Sequence, residues 1–344
     1  MIAMQFENIL GNKNKILQIR RMINSKKFPQ NILLTGLDGI GKIEIGKVIA
    51  ESLLCENPND GDPCGKCASC RAFENDFTHS DFHFVEPDIS KANAVIKIDA
   101  IRKLQAEIAR SPITSDRHVV LLDRADTMNE AAQNALLKTL EEPIGQVNFI
   151  LVSSVKSKLL QTIRSRCTPI NFAPLDSKDI EKILLKIGMN KVEAENFSSL
   201  GDGSVGHAVA IKKICDESKI DIRADVLQFL NDLPSLKNER PLFERGKSMS
   251  ENLAENKTQF IAAWLFCMKM LLTDLLFFES RAPIYFSDFS IQLDSLRDKY
   301  TTEKLFTLLE ITTETHRRIL SSNVNLRLAV ENFLLRSYMF KNYS

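Results

Sequence analysis

Short apolar runs alternate with helical stretches over the first half of the chain. The residues between the runs are apolar at the helical spacing, whereas the runs themselves are rich in Val, Ile, Leu and Phe. Continuous apolar strands that alternate with helices are typical of a parallel sheet covered by helices. The pattern predicts an α/β domain over residues 1–173. Its expected strands lie at residues 31–35, 82–86, 118–123, 147–152 and 168–172.

The pattern changes at residues 173–176, APLD, beyond which no apolar run is typical of a strand. Apolar residues then recur at the helical spacing as far as the last residues. We expect a small helical domain over residues 174–216 and a larger all-helical domain over residues 217–344. A chain of 344 residues is also longer than one hydrophobic core usually grows, so its length alone favours more than one domain.

One apolar stretch, residues 260–278, is long enough to cross a membrane. Lys269 and Asp274 interrupt it, and either charge is costly in the middle of a bilayer. We therefore expect a buried helix whose two charges lie on the face that reaches water, and no membrane contact. The first residues, MIAMQFENILGNK, have no signal-peptide pattern, which favours a cytoplasmic location.

Basic and acidic residues nearly balance along the whole chain. Lysine and arginine total 45, aspartate and glutamate total 44, and the formal net charge is +1. The net charge therefore creates no overall electrostatic attraction to nucleic acid or to a membrane surface. Any contact with DNA is expected to be local or to be made by partners.

The sequence GLDGIGK at residues 36–42 has the spacing of a phosphate-binding loop. It follows an expected strand and precedes an expected helix, where main-chain amides can surround phosphate oxygens and a lysine supplies charge. The next position normally carries a hydroxyl that binds Mg²⁺, and Ile43 has none. A glycine turn without a ligand explains the loop equally well. Its defining residues are Gly36, Gly39, Gly41 and Lys42.

A second nucleotide motif is altered in HVVLLDRADTMN. Asp123 ends an apolar strand, where folds with phosphate loops hold the metal ion through an acid. The neighbour that normally activates water is an acid, but here it is Arg124, whose guanidinium cannot accept a proton. Two independent losses therefore predict that this chain does not hydrolyse ATP at its own site. Weak nucleotide binding stays open.

Four cysteines follow the loop at the spacing C-x8-C-x2-C-x2-C. Four thiolates in a short segment match a tetrahedral structural zinc site, which leaves no position for a substrate. An iron–sulfur cluster and disulfides are the alternatives, but the spacing differs from the ferredoxin pattern and no export signal is present. The expected ligands are Cys55, Cys64, Cys67 and Cys70, and the thiols expected to serve packing alone are Cys167, Cys215 and Cys267.

The order of these motifs resembles that of bacterial clamp-loader subunits of the AAA+ group. The resemblance covers residues 6 to about 210 and implies a P-loop NTPase-like sheet domain with a zinc-binding insert, a helical lid domain and a helical collar domain. The weaker motif NVNLRLAVENFLL resembles a collar helix. Besides the loop and the cysteines, the resemblance is carried by THSDFHFVEP at 78–87, NALLKTLEEP at 134–143, VNFILVSS at 147–154 and TIRSRC at 162–167.

This resemblance implies a spiral of five subunits in which ATP lies at interfaces. Arg166 in TIRSRC matches the arginine that one subunit donates to the ATP of the next, where it stabilises the charge of phosphoryl transfer. The alternative is an arginine that only pairs with an acid at the start of a strand. The implied partners are homologous ATPase subunits, a clamp-opening subunit, the ring-shaped sliding clamp and primed DNA. Ser153 and Ser154 match a sensor of the γ-phosphate, or are ordinary serines at the end of a strand.

Further along, Gly206 in GDGSVGHA takes the place of a lid arginine that normally contacts nucleotide. His207 is expected to be an exposed or capping residue. Glu141 and Glu142 are interpreted as partners of nearby lysines such as Lys138 rather than as a catalytic pair.

Two functions remain open from the sequence. Ile43, Arg124 and Gly206 favour a subunit that donates an arginine but does not hydrolyse ATP, so that ATP in its own site is doubtful. Lys42 and Asp123 favour an ATP-hydrolysing motor of the same family. A separate zinc protein that binds DNA through its cysteines is disfavoured, because the cysteine segment has more acidic than basic residues.

Overall fold

The computed structural model describes residues 5–75, 78–88, 94–251, 257–277, 285–321 and 324–339. The chain forms two compact units. The first comprises Met1–Asp179 and Gly203–Gly206, and the second comprises Ile180–Asp202 and His207–Ser344. The finer division into three domains at residues 173 and 216 stays a prediction.

The first unit contains a five-stranded sheet in which every neighbouring pair of strands is parallel. The strand order is β2-β3-β4-β1-β5, so β1 lies between β4 and β5. Asn31 is paired with Phe149 of β4, and Ile32 with Thr168 of β5. The predicted α/β class is confirmed. The strands are β1 Asn31–Thr35, β2 Phe82–Val85, β3 His118–Leu122, β4 Val147–Ser153 and β5 Thr168–Asn171.

Helices cover both faces of this sheet because successive strand residues point in opposite directions. In β1, Ile32 and Leu34 join the apolar core under α1, α2 and α3, whereas Leu33 joins the core under α4, α5 and α6. The helices are α1 Lys13–Asn24, α2 Lys42–Leu54, α3 Ala68–Glu74, α4 Ile98–Ile108, α5 Glu130–Glu141 and α6 Gln161–Arg166, followed by α7 Ser177–Lys186. Because β3, β4 and β1 are parallel neighbours in the sheet, their carboxyl ends lie beside one another.

The second unit is helical throughout its described residues, as the pattern after residue 176 predicted. Trp264 lies in its core with edge-on contacts to Phe229 and Phe333. The helices are α8 Lys191–Leu200, α9 Val205–Ser218, α10 Ile222–Asp232, α11 Arg240–Glu251, α12 Lys257–Phe277, α13 Ser290–Arg297, α14 Thr302–Ser321 and α15 Leu326–Met339.

Within the described residues, α12 is the one helix with the length and apolarity to cross a membrane, with a mean hydropathy of 1.8. However, 67% of its most apolar window is buried inside the protein, as expected of a core helix. The expected exposure of Asp274 was wrong, because its side chain is buried and accepts amide hydrogen bonds from Tyr285 (3.0 Å) and Phe286 (2.8 Å). Burial raises the pKa of Asp274 to about 6.

Candidate functional site

The phosphate-loop sequence forms the turn between β1 and α2, at the carboxyl edge of the sheet. Gly36, Gly39 and Gly41 have φ values of 148°, 70° and 92°, which side chains with a Cβ atom rarely adopt. Lys42 is the first residue of α2. The loop therefore has the strand-to-helix context that its sequence predicted.

The ammonium group of Lys42 is turned back onto its own loop. It donates hydrogen bonds to the carbonyl oxygens of Gly36 (3.0 Å) and Leu37, and to the hydroxyl of Ser154 (3.1 Å). The residue is 4% exposed, and burial lowers its pKa, an effect that Asp38 and other nearby carboxylates oppose. All three protons of the ammonium group thus have partners within the protein.

The segment Gly203–Gly206, which we call the covering segment, lies against the loop. The amide of Gly206 donates a 2.9 Å hydrogen bond to the carbonyl of Gly39, and the hydroxyl of Ser204 donates one of 2.6 Å to the carbonyl of Asp38. A Cβ atom on Gly39 would lie 2.6 Å from Cα of Gly206. Only glycine therefore allows this approach on either side, and no local sequence pattern indicates the contact.

The carboxylate of Asp123 lies beside the positively charged side chain of the next residue, Arg124. This carboxylate accepts a 2.9 Å hydrogen bond from the amide of Arg124, whose Nε atom lies 3.9 Å from the second carboxylate oxygen. Burial raises the pKa of Asp123, and the hydrogen bond and charge of Arg124 oppose that rise. The guanidinium of Arg124 thus lies beside the carboxylate that would have to bind a magnesium ion. This agrees with the loss of magnesium binding inferred from the sequence.

The two serines at the end of β4 differ in their surroundings. Ser154 accepts from Lys42 and donates to a carboxylate oxygen of Asp38 (3.3 Å), and its amide donates to Asp126 (3.1 Å). The hydroxyl of Ser153 is fully buried and has no hydrogen-bond partner among the described residues. The loop, the end of β4 and the covering segment thus form one polar network.

Arg166 is the last residue of α6, and its side chain is 33% exposed. One guanidinium nitrogen donates to the carbonyl of Thr162 (2.8 Å), and the other pairs with the carboxylate of Glu141. The interpretation of Glu141 as a partner of Lys138 was wrong in this respect, because its ionic contact is with Arg166. Arg166 therefore presents a fixed and partly exposed positive group.

The sulfur atoms of Cys55, Cys64, Cys67 and Cys70 all lie within 4.8 Å of one another. The Cys55–Cys67 and Cys64–Cys70 pairs are separated by 3.9 and 4.0 Å. Four sulfurs at about 2.3 Å from a tetrahedral zinc ion would be about 3.8 Å apart, so the observed spacing fits such an ion. The predicted cysteines come together in one group that could hold a metal.

Main-chain amides point at two of these sulfur atoms. Cys64 donates to the sulfur of Cys55 (3.2 Å), and Cys70 donates to the sulfur of Cys67 (3.4 Å). A hydrogen bond from Cys70 lowers the pKa of Cys55 to about 5, against the effect of burial and with help from the amide of Cys64. The surroundings therefore favour the thiolate form at Cys55, whereas the hydrogen bond to Cys55 raises the pKa of its partner Cys70.

The turn between Cys55 and Cys64 is fastened to the start of the chain. Asp62 accepts a 2.7 Å hydrogen bond from the amide of Phe6 and pairs with Arg20 at 3.0 Å. Arg20 and Asn24 of α1 also bind the carboxylate of Asp60, at 2.6 and 2.8 Å. In the sequence these acids indicate only negative charge, whereas in the structure they anchor the cysteine segment to α1 and to Phe6.

Comparison with known proteins finds similarity to subunits of DNA polymerase III. Residues 11–176 match the model of a family described as DNA polymerase III, delta subunit. The chain is thus similar to DNA polymerase III subunits over part of its length. Over 204 residues it is 33% identical to subunit gamma of Buchnera aphidicola, which covers 58% of this chain and 54% of that protein. Over 135 residues it is 41% identical to subunit delta prime of Pseudomonas aeruginosa, which covers 39% and 40%.

The chain thus spans about half the length of the curated relatives that it matches. The similar proteins include both gamma and delta prime subunits of DNA polymerase III. Among solved structures, a gamma subunit-related protein of DNA polymerase III from Thermotoga maritima covers 94% of this chain and 100% of that protein, with 17% identity and a TM-score of 0.45.

Proposed function

We propose that this chain is the delta prime subunit of a bacterial DNA polymerase III clamp loader. It acts in the cytoplasm in a pentameric assembly with ATPase subunits of the gamma/tau type and a delta subunit. The assembly loads a sliding clamp onto primed DNA. This chain hydrolyses no ATP itself, and Arg166 reaches the ATP held by a neighbouring ATPase subunit.

The observation that carries this proposal is the contrast between Arg166 and the phosphate loop. Arg166 is partly exposed and held at a helix end, whereas Gly39 lies under the covering segment and Lys42 is bound by its own chain. An arginine delivered from a neighbour stabilises the charge that develops on the transferred phosphoryl group. The chain is thus better arranged to assist ATP hydrolysis at the site of a neighbouring subunit than to hydrolyse ATP at its own site.

A second function is an ATP-hydrolysing motor of the gamma/tau type. Its support is the loop itself, because Gly36, Gly41 and Lys42 keep the required spacing and Asp123 ends β3. Titration of the purified chain with ATP, with and without Mg²⁺, separates the two functions. Magnesium-dependent binding with turnover would favour the motor, and the absence of turnover favours the arginine donor.

We also propose that the four cysteines bind one structural zinc ion. The support is the spacing of the sulfur atoms, the amide hydrogen bonds to Cys55 and Cys67, and a complete set of four sulfur ligands. Such a set leaves no open position for a water molecule or a substrate, so the ion would stabilise the fold and take no part in ATP chemistry.

The decisive experiment replaces Arg166 in the assembled loader. Arg166→Ala should lower the DNA-stimulated kcat for ATP by at least the share that one ATP site contributes, because that site loses its stabilising cation. The matched control is Arg102→Ala on α4, since Arg102 is 68% exposed and makes only a 4.0 Å ion pair with Asp99. An unchanged rate with Arg166→Ala in a fully assembled complex would overturn the proposal.

A further inference from the structure

Asn31 ties the main chain of Arg166 to the sheet. It is the first residue of β1 and only 7% exposed. Its side-chain amide donates to the carbonyl of Leu140 at 3.0 Å and to the carbonyl of Arg166 at 3.2 Å. The carbonyls at a helix end lack partners within the helix, so one buried amide group satisfies the ends of both α5 and α6.

Glu141 holds the side chain of the same arginine. It follows Leu140 directly and is the last residue of α5, and its carboxylate pairs with one guanidinium nitrogen of Arg166. The other nitrogen is bound by the carbonyl of Thr162. Arg166 is therefore fixed at three points, at its main-chain carbonyl by Asn31 and at its guanidinium by Glu141 and Thr162.

We propose that Asn31 and Glu141 are positioning residues for Arg166 in the reaction of the neighbouring subunit. This inference rests on the proposed function, since it assumes that Arg166 acts on that subunit's ATP. Neither residue needs to touch the nucleotide. Asn31 sets where the arginine's main chain lies, and Glu141 limits the conformations of its long side chain.

The expected effect is on turnover rather than on ATP affinity. A free arginine side chain populates many rotamers, and ordering them during the reaction raises the barrier. An anchored guanidinium has lost that freedom before ATP arrives. An interaction that matters in the transition state changes kcat, whereas uniform binding changes KM.

The experiment measures DNA-stimulated ATP hydrolysis by the assembled loader. Glu141→Ala should lower kcat by up to the same factor as Arg166→Ala and leave KM for ATP within about 1.5-fold. Glu141→Gln should restore most of the rate, because an amide oxygen still accepts a hydrogen bond from the guanidinium. Glu142→Ala is the matched control, since Glu142 is the exposed next residue, and it should leave kcat unchanged.

A double substitution separates positioning from a general structural effect. Glu141→Ala added to Arg166→Ala should change kcat no further, because both act through one guanidinium. Asn31→Ala should lower kcat and also the melting temperature, whereas Glu141→Ala, at a half-exposed side chain, should leave that temperature unchanged.

The outcomes distinguish this inference from the proposed function. If Arg166→Ala leaves the rate unchanged, the proposed function fails first. If Arg166→Ala lowers kcat while Glu141→Ala gives the wild-type or a higher rate, the positioning role is overturned and the arginine's function stands. A further loss of kcat in the double variant would also overturn positioning, because it would show an effect of Glu141 that does not pass through Arg166.

Discussion

The amide of Gly206 donates a 2.9 Å hydrogen bond to the carbonyl oxygen of Gly39. The two main chains approach so closely that a Cβ atom on Gly206 would lie 2.7 Å from Cα of Gly39. Gly206 therefore does more than omit an arginine that could contact nucleotide. Its lack of a side chain allows the covering segment to lie directly on the phosphate loop.

Replacing Gly206 should separate the two segments. Gly206→Ala should destabilise the protein by about 1–2 kcal/mol, because the main chain of Gly39 cannot rotate away from the new methyl group. Alanine otherwise favours a helix over glycine by up to about 1 kcal/mol. Urea unfolding and hydrogen exchange at the amide of residue 206 measure the effect.

The matched control for that substitution is Gly246→Ala in α11. A Cβ atom there would meet the flexible side chain of Glu331 at 3.1 Å rather than a main chain. This variant should unfold within about 1 kcal/mol of the wild type. Equal free energies of unfolding for the two variants would show that the contact between Gly206 and Gly39 does not stabilise the protein.

Restoring the two altered nucleotide residues should not create an ATPase. The double variant Ile43→Thr and Arg124→Glu regains a hydroxyl and an acid, but Lys42 keeps its three internal partners and the covering segment stays in place. Phosphate release from the purified chain with Mg²⁺ and ATP should stay at background. Sustained turnover by this variant would instead show that Ile43 and Arg124 alone prevent hydrolysis and that the covering segment does not block the site.

Loss of one cysteine should release the metal and weaken the first unit. Cys64→Ser should remove stoichiometric zinc and lower the stability by roughly 3 kcal/mol or more, since binding of a structural ion contributes directly to folding. Metal analysis and thermal unfolding, with and without a chelator, provide the measurements. Cys215→Ser, in α9, should keep the metal. Full metal content in Cys64→Ser would argue against a four-sulfur site.

Asp81 should make the protein sensitive to acid. Its side chain is fully buried, which by itself would raise its pKa, but five hydrogen bonds from residues 113–115 outweigh burial and hold the pKa below the usual range. Below about pH 4 the unfolded chain takes up a proton more readily than the folded one, so stability present above that pH is lost as the pH falls.

Asp81→Asn should therefore lower the stability at pH 7 by about 2–3 kcal/mol and flatten its further loss between pH 5 and pH 3. Urea midpoints across this range measure both effects. Asp99→Asn is the control, because Asp99 is 83% exposed. An unaltered acid slope in Asp81→Asn would show that other carboxylates govern acid unfolding.

The strands and the cysteine cluster were accessible to sequence reasoning because their signals are local. The apolar run at residues 118–123 became β3 His118–Leu122, and the run at 168–172 became β5 Thr168–Asn171. A strand buried on both faces shows itself in consecutive residues. Likewise, the four cysteines belong to one short segment, so their spacing alone predicted that their sulfur atoms would meet.

Contacts between distant segments were not accessible in the same way. Glycine has no side chain to mark a partner, so nothing in GDGSVGHA indicated that Gly206 would lie on Gly39. Local spacing suggested Lys138 for Glu141, whereas the structure brings Arg166 from the next helix to it. Asp274 was expected to face water because a helical repeat cannot show which amides a later loop brings to it.

The hydrogen bond from the amide of Phe6 to Asp62 joins two residues that are synthesised at different times. The two residues are 56 positions apart, so Phe6 leaves the ribosome before Asp62 does. At about 5–20 residues per second, Phe6 would wait roughly 3 to 11 seconds for Asp62 to be synthesised. During that interval its large apolar side chain, buried in the finished protein, has no completed site and is open to chaperones.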